Sequence, residues 1–198
     1  HLGLVQVGPE SSSADPGPAC YGRGGQDPTV TDADLVLGYM AADSFLGGDM
    51  RLNVAASEAA LEQAIAQPLG ISVLEAAWAI HETVNENMAQ AASMHALEKA
   101  RRITDYVMVP IGGAGPVHAA GFAAELGIRQ IYIFAASPVF SAFGAAAADV
   151  IRTRVVSCQF VLPADPAVIN HRLGAIEQEM GAAVAAEGFR SSQIEFRR

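Results

Sequence analysis

The sequence lacks the features expected of a secreted or nucleic-acid-binding protein. It has only two cysteines, Cys20 and Cys158, in 198 residues, which is too few for a disulfide framework and typical of a reducing compartment. It also has few basic residues: 12 Lys and Arg stand against 21 Asp and Glu, giving a net charge of −9. Because this charge repels phosphate backbones, we predict that the protein binds no nucleic acid. From the low cysteine count we predict a cytoplasmic protein.

The sequence also has no apolar run long enough to span a membrane. The most apolar window, 131–150, is interrupted by Ser137, Pro138, Ser141 and Gly144, whereas a spanning helix needs about 20 apolar residues. The start of the chain has no basic segment followed by an apolar one, so we expect no signal peptide. Since its first residue is His1, we expect a piece of a longer protein.

Alanine and other hydrophobic residues are abundant, at 51% of the chain, which favours a packed core with closely spaced helices. The strongest helix pattern covers 72–102, where Ser72 and Glu75 form a capping box. One face of this helix carries Ala76, Ile80, Val84, Asn87 and Ala91, and we expect Ala76, Ile80 and Val84 to be buried. Further helices are predicted at 54–66 and 117–126, at 165–188, and from 33 onward with Asp32 as the cap.

Two apolar runs, 106–111 and 130–134, are predicted to be buried strands. A glycine-rich turn and a helix separate them, and strands joined in this way are normally parallel. Shorter strands are predicted at 2–7, 153–162 and 193–196. The pattern therefore indicates a helix-rich α/β fold with a short, mainly parallel sheet, divided into domains at 1–152 and 153–198.

The turn between these strands reads "IGGAGPVHAAG", from 111 to 121. Glycines at a helix N-terminus allow phosphate or ribose oxygens to approach the backbone. The dinucleotide pattern G-x-G-x-x-G is broken at His118, however, and the P-loop lysine is absent. The residues alone therefore leave two interpretations open, a nucleotide-binding turn and a tight packing turn, and His118 could contact a ligand or be structural.

Other polar residues also allow more than one interpretation. The four aspartates of the first loop could hold Mg²⁺, act as a base or form a solvated cap: Asp15, Asp27, Asp32 and Asp34. Cys20 has no base nearby in sequence, and Cys158 is expected in the core. His81 and His95 lack the H-E-x-x-H spacing, so no metal site is predicted at these histidines, and no residue is assigned as a metal ligand.

Five segments, taken in order, resemble one family. They read "GPESSSADPGPACYGRGGQDPTVTDADLVLGYM", "FLGGDMRL", "NENMAQA", "IGGAGPVHAAGFAAELGI" and "SAFGAAAAD", and they lie within 8–149. They resemble the hydantoinase A/5-oxoprolinase family, which includes the ATP-hydrolysing subunits of acetone and acetophenone carboxylases. The chain departs from the family pattern at Ser13, where glycine is usual, and in "MHALEKARRITDYVMV".

The resemblance implies an actin-like (ribonuclease H-like) ATPase whose two lobes close on ATP, with this chain as part of the second lobe. It implies a fragment of an ATP-dependent cyclic amidohydrolase that opens its substrate through a phosphorylated intermediate, using ATP and Mg²⁺. The alternatives are the ATP-hydrolysing subunit of a ketone carboxylase and a non-catalytic assembly module. The expected partners are a cyclic amide or ketone substrate and a B-type hydantoinase subunit, in an oligomer. The isolated chain is expected to be inactive, because the family's phosphate loops lie upstream.

The resemblance also implies roles for individual residues. The nucleotide would contact Gly112, Gly113, Ala114 and Gly115. The cleft between the lobes would be lined by Cys20, Tyr21, Arg23, Thr31 and His118, with Asp15 and Asp32 as catalytic residues. If the turn holds nucleotide, at least one of Gly113 and Gly115 should have φ > 0 or leave no room for a Cβ beside the ligand.

Overall fold

The structure is a computed structural model that describes residues 5–161 and 163–197. The chain divides into two compact units, His1–Ala146 and Ala147–Arg198. The first unit contains the α-helices α1 (Val30–Val36), α2 (Val54–Leu61), α3 (Gln67–Leu69), α4 (Val73–Glu98) and α5 (Gly115–Leu126). A sixth, α6 (Phe140–Ala147), ends at the division, and α7 (Pro166–Ala186) lies in the second unit. The predicted helix-rich character is confirmed.

Helix α4 begins as predicted. The Ser72 hydroxyl oxygen accepts a hydrogen bond from the Glu75 backbone N–H at 3.2 Å, and the Glu75 carboxylate accepts one from the Ser72 N–H at 2.8 Å. This reciprocal capping box satisfies two of the free N–H groups at the helix start. The helix ends at Glu98, four residues before the predicted end.

The buried face of α4 differs from the predicted one. Ala76 and Ile80 are buried as expected, whereas Val84 is only half-buried; Asn87 and Ala91, on the same predicted face, are exposed. The buried residues are instead Ala76, Ala77, Ile80, His81, Asn85 and Ala89. The prediction followed apolar residues, whereas α1 and α5 both pack on α4 and bury a histidine and an asparagine between them.

Helix α1 begins earlier than predicted. Its N-cap is Thr29, whose hydroxyl oxygen accepts from the Asp32 backbone N–H, while the Asp32 carboxylate accepts from the Thr29 N–H. The prediction that Asp32 caps a helix starting at Ala33 is therefore wrong, since Asp32 is the third residue of α1. Helix α2 is confirmed from Val54, and it continues through a π-helical turn at Glu62–Ala66 into α3.

The two predicted buried strands reduce to one parallel bridge between Met108 and Ile131. The Met108 N–H donates to the Gln130 carbonyl at 2.9 Å, and the Tyr132 N–H donates to the Met108 carbonyl at 2.8 Å. The parallel direction agrees with the prediction, but the burial does not. The exposed members of the two runs are Tyr106, Val107, Val109, Ile111, Ile131, Tyr132, Ile133 and Phe134. Buried parallel strands need other elements to cover both faces of the sheet. In 106–111 and 130–134, only Met108 and Pro110 are buried.

The shorter predicted strands are also absent from the described residues. Residues 5–7 and 153–161 are in no strand, while residues 2–4 and 162 lie outside the described part. In place of the strand at 193–196 there is a 3₁₀ turn, Ser191–Gln193. Cys158 was predicted to be a core residue, but it is exposed, as are all residues of 151–161.

The core of the first unit lies around α4. One cluster joins α4 to α5 and contains Ala89, Met108, Ala119, Ala123 and Leu126. A second joins α4 to α1 and α2 and contains Ala33, Leu61, Ala77 and Ile80. The alanines allow close helix approach, as predicted. The residues of α4 between these clusters can therefore contact α1 and α5 at the same time.

The second unit contains α7, whose start agrees with the prediction. The Asp165 carboxylate accepts from the Ala167 N–H at 2.8 Å, and Gly188, with φ 99°, follows the helix end. Arg152 forms an ion pair with Glu187 at 2.8 Å. Within 5–161 and 163–197, no helix combines the length and apolarity needed to cross a bilayer.

Candidate functional site: a buried aspartate and two histidines

Three helices of the first unit bring an aspartate and two histidines together. Asp34 comes from α1, His81 from α4 and His118 from the first turn of α5, and all three are buried. One ligand-type atom from each lies within 4.8 Å of the others. We call these residues the Asp–His–His cluster.

The carboxylate of Asp34 bridges the two imidazoles. Its Oδ1 lies 2.8 Å from Nδ1 of His81, and its Oδ2 lies 3.2 Å from Nε2 of His118. The other ring nitrogen of His118, Nδ1, lies 3.1 Å from Oδ1 of Asn85. The side chains of Asp34, His81 and His118 are 4–6% exposed, so water contributes little to their solvation.

Aromatic rings surround His81. Its ring stacks on Tyr39 and on His118 with centroid distances of 4.7 Å each, and on Trp78 at 5.8 Å. Tyr39 and Trp78 are themselves 49% and 44% exposed. His81 therefore stacks on two aromatic side chains that reach solvent.

The charge of Asp34 is the main electrostatic feature of the cluster. An ionised carboxylate removed from water costs several kcal/mol unless a positive partner or several hydrogen-bond donors compensate it. Among the described ion pairs, those of Asp34 involve His81 and His118. The two imidazoles, or a cation that they share with Asp34, are therefore placed to compensate this charge.

Close contact between α4 and α5 fixes the position of Asn85. A Cβ added at Gly121 of α5 would lie 2.5 Å from the Asn85 Nδ2 atom, so a larger residue there would displace the amide. Gly121 thus allows the amide to reach His118, and the amide in turn orients the His118 ring.

The predicted nucleotide turn leads directly into the helix that carries His118. Gly112 has φ 84°, and its N–H donates to the Ser137 carbonyl at 2.9 Å. Gly113 has open space around it, and Gly115 is in ordinary contact with Pro110 at 3.5 Å. Neither Gly113 nor Gly115 has a positive φ, so that part of the prediction is wrong. The residue of the turn with a positive φ is Gly112. Ala114, the N-cap of α5, is exposed and has no side-chain hydrogen bond.

Asp32 occupies a second buried polar site on α1. Its carboxylate accepts hydrogen bonds from the backbone N–H groups of Ala19, Cys20 and Thr29 and from the hydroxyls of Thr29 and Ser57, the last at 2.6 Å. Burial raises the pKa of Asp32, but the hydrogen bonds from Ser57, Thr29 and Cys20 outweigh it and hold the pKa below its usual value. Asp32 is therefore a fixed anion that anchors the opening loop to α1 and α2.

The remaining predicted cleft residues are arranged around this loop. Cys20 is buried beside Asp32, and burial, together with the Asp32 charge, raises the pKa of its thiol to about 12, which disfavours a thiolate nucleophile. Tyr21 packs against Phe45 at 5.5 Å between ring centroids. Arg23 donates to the Ala14 carbonyl at 3.3 Å.

Asp15, Arg23 and Thr31 are less enclosed than Cys20. Asp15 and Arg23 are exposed and Thr31 is half-buried. The structure thus brings Cys20 and Asp32 together and places His118 with Asp34 in the Asp–His–His cluster. The catalytic and cleft roles of these residues stay predictions.

Sequence reasoning missed His81 and Asn85 as members of a site. His81 was set aside because its spacing to His95 does not suit a metal site. Its partners are Asp34 in α1, which is 47 residues away in sequence, and His118 in α5. The available signal was two polar residues four positions apart on the buried side of a long helix, which requires polar partners from other elements.

Comparison with known proteins supports the family. The Hydantoinase/oxoprolinase family model matches residues 1–154. The gamma subunit of acetophenone carboxylase from Aromatoleum aromaticum is 46% identical over 147 residues, covering 74% of this chain and 20% of that protein. The alpha subunit of caprolactamase from Pseudomonas jessenii is 42% identical over 149 residues, covering 75% of this chain and 21% of that protein.

A solved structure agrees with these relatives. The nucleotide-free structure of acetone carboxylase, which carries out ATP-dependent acetone carboxylation, superposes with a TM-score of 0.68 at 35% identity, covering 74% of this chain and 21% of that one. The chain thus spans about a fifth of the length of the proteins that it matches. The matched residues include α1, α4 and α5, which hold the Asp–His–His cluster, and the chain belongs to the hydantoinase/oxoprolinase family.

Proposed function

We propose that this chain is part of an ATP-dependent enzyme that opens a cyclic amide. The observation that carries the proposal is that His118 of the Asp–His–His cluster lies on the first turn of α5, directly after the turn of Gly112, Gly113, Ala114 and Gly115, in which Gly113 and Ala114 are exposed. Helix α5 thereby joins the glycine turn to one member of the buried polar cluster, His118, whose partners come from α1 and α4. The caprolactamase relative, named for a cyclic amide, supports this substrate class.

ATP would serve to activate the carbonyl of the substrate. Transfer of the γ-phosphoryl group to the amide oxygen converts a poor leaving group into a good one, and Mg²⁺ would neutralise the phosphate charge. In this scheme the glycine turn contacts the adenosine part of ATP in an actin-like cleft. We assign Asp15, Cys20, Tyr21, Arg23, Thr31 and Asp32 to the cleft side of the opening loop. Among them, the hydrogen bonds of Asp32 favour a positioning role.

A ketone carboxylase is the second candidate. The acetophenone carboxylase relative, at 46% identity, and the acetone carboxylase structure favour it. The activating step would be the same in both candidates, since a ketone enolate oxygen and an amide oxygen can each accept a phosphoryl group. The two differ in the carbon chemistry that follows.

A partner subunit is part of the proposal. Both relatives described above are named as subunits, and we propose that a B-type hydantoinase subunit completes the enzyme in the cytoplasm. The exposed apolar residues Val107, Val109, Ile131 and Ile133 would be covered by the rest of the protein or by that subunit. In the alternative, a non-catalytic module, such contacts would be the whole role of the chain.

The test is ADP release by the full-length protein with its partner subunit. Caprolactam, hydantoin and 5-oxoproline form one set of substrates, and acetone and acetophenone with bicarbonate form the other. We expect ADP release to depend on one of the cyclic amides. Dependence on a ketone and bicarbonate instead would establish the second candidate. No dependence on either set would contradict both and leave the assembly module.

A further inference from the structure

We propose that Asp34, His81 and His118 bind a divalent transition-metal ion of the Zn²⁺ type. The ligand atoms would be a carboxylate oxygen of Asp34, Nδ1 of His81 and Nε2 of His118, which lie within 4.8 Å of one another. The proposal does not depend on the ATP-driven reaction, because metal binding can be measured without nucleotide or substrate.

The distances suit a small ion. Zinc lies about 2.0–2.2 Å from nitrogen and oxygen ligands, so ligand atoms in a tetrahedral site are about 3.3–3.6 Å apart. The two carboxylate–imidazole distances, 2.8 Å from Oδ1 to His81 and 3.2 Å from Oδ2 to His118, are slightly shorter than this, and all three ligand atoms lie within 4.8 Å of one another. Movements of about an ångström in the ligand atoms would therefore bring the three residues to the spacing of a zinc site.

The hydrogen bond from His118 to Asn85 gives the strongest indication. Nδ1 of His118 lies 3.1 Å from Oδ1 of Asn85, and because an amide oxygen can only accept, this contact is a hydrogen bond in the tautomer whose proton is on Nδ1. In a neutral imidazole the lone pair then lies on Nε2, which is 3.2 Å from the Asp34 carboxylate. Two electron-rich atoms face each other at this point, and a cation between them turns repulsion into attraction.

Asn85 has the position of an outer-shell partner. A metal-bound histidine usually donates its second ring N–H to a carbonyl or carboxylate, which fixes the tautomer that leaves the other nitrogen free for the metal. Here the amide of Asn85 accepts that hydrogen bond and is itself held where α4 meets Gly121. The ring of His118 is therefore oriented before any ion binds.

The types of ligand select the class of ion. Two imidazoles and one carboxylate suit Zn²⁺, Co²⁺ or Fe²⁺, whereas Mg²⁺ and Ca²⁺ prefer sites made of oxygen atoms. Three protein ligands leave a fourth position for water or a substrate oxygen, which is the arrangement of catalytic zinc sites. Buried Asp34 would supply the one negative charge, leaving the site with a net charge of +1.

The experiment measures metal in the full-length protein expressed without a histidine tag. Chelator-stripped protein is titrated with Zn²⁺, and with Co²⁺ as a probe whose visible d–d absorption reports low coordination number. We expect Asp34→Asn, His81→Gln and His118→Gln each to lose one bound ion per chain. The matched control is His95→Gln on the same helix, whose side chain is 73% exposed, and it should keep the ion.

Asn85 provides variants that leave all three ligands in place. Asn85→Ala is expected to weaken Zn²⁺ binding about 10–100-fold, and Asn85→Asp, which keeps an acceptor for His118, to restore it. If the ligand variants fail to fold, X-ray absorption of the Zn²⁺-loaded wild type decides the question, with scattering from two imidazoles expected at its zinc.

Three outcomes would overturn the proposal. The wild type could bind neither Zn²⁺ nor Co²⁺. It could bind the same number of ions as the three ligand variants, so that the metal lies elsewhere. Its zinc could also show no imidazole scattering.

Discussion

Asp32 and Asp34 are two residues apart on α1, and both are buried, yet their surroundings differ in kind. Asp32 accepts five hydrogen bonds, all from backbone N–H groups and hydroxyls of the chain. The ion pairs of Asp34 are with the imidazoles of His81 and His118, whose proton or metal content can change. Burial of a carboxylate therefore says little about its role. Partners that cannot exchange charge make an anchor, whereas exchangeable partners make a candidate site.

The largest loss of stability should come from adding a buried carboxylate that has neither hydrogen-bond donors, as Asp32 has, nor imidazole partners, as Asp34 has. Ile80 is 4% exposed and packs on α4 against α1. An unpaired buried charge costs several kcal/mol, on the order of the whole stability of a domain. We expect Ile80→Asp to abolish cooperative unfolding measured by circular dichroism, while Met94→Asp, at a position 63% exposed on the same helix, melts normally. A cooperatively folded Ile80→Asp protein would show that this face is not packed.

Removing the anchor should have the next largest effect. Asp32→Ala leaves the N–H groups of Ala19 and Cys20 and the Ser57 hydroxyl without their acceptor, and each buried unsatisfied group costs about 1–3 kcal/mol. We expect destabilisation of about 3–5 kcal/mol and faster amide hydrogen exchange in the opening loop. Asp15→Ala, at an exposed position, should change stability by about 0.5 kcal/mol or less. Unchanged exchange in the loop of Asp32→Ala would argue against anchoring.

Acid should reveal the same anchor more weakly. The pKa of Asp32 in the folded protein lies below its usual value, so its contribution is present above the unfolded pKa of about 3.9 and is lost as pH falls through the folded pKa. The difference in melting temperature between wild type and Asp32→Asn should therefore be largest near pH 6 and shrink on acidification. A gap that stays constant down to pH 3 would mean that the charge of Asp32 contributes nothing.

The smallest effects concern two adjacent glycines of the turn before α5. Gly112 has φ 84°, whereas Gly113 has no heavy atom near its Cβ position. We expect Gly112→Ala to cost about 1–2 kcal/mol through left-handed strain. Gly113→Val should leave the melting temperature unchanged and raise the ATP concentration needed for half-maximal ADP release by the full-length protein. If Gly113→Val leaves the ATP titration unaltered, the turn is scaffolding.

Local chemistry could be predicted from the sequence wherever a feature depends on neighbouring residues. The capping box of Ser72 and Glu75 and the helix end at Gly127 are of this kind. The order of the motifs was enough to identify the family. The burial of 106–111 and 130–134 could not be predicted in the same way, because an apolar run is buried only if other elements cover it.

The Asp–His–His cluster lay beyond sequence reasoning for a related reason. Its contacts join residues 47 and 33 positions apart, and they arise only when α1 and α5 pack on the same part of α4. His118 was predicted to line the cleft and Asp34 was noted in the acidic loop, but nothing in their spacing connects them. Only the packed helices show that His81 and Asn85 complete the group.

Because the cluster draws on three helices, it fixes their alignment along one another. A slip of one residue along α4 would move His81 by about 1.5 Å and turn it by about 100°, away from both Asp34 and His118. The three side chains therefore form a single unit in the thermodynamic sense. Once one of them is removed, removing a second should cost much less than it does alone, and a double-mutant cycle of Asp34 and His118 should show strong non-additivity.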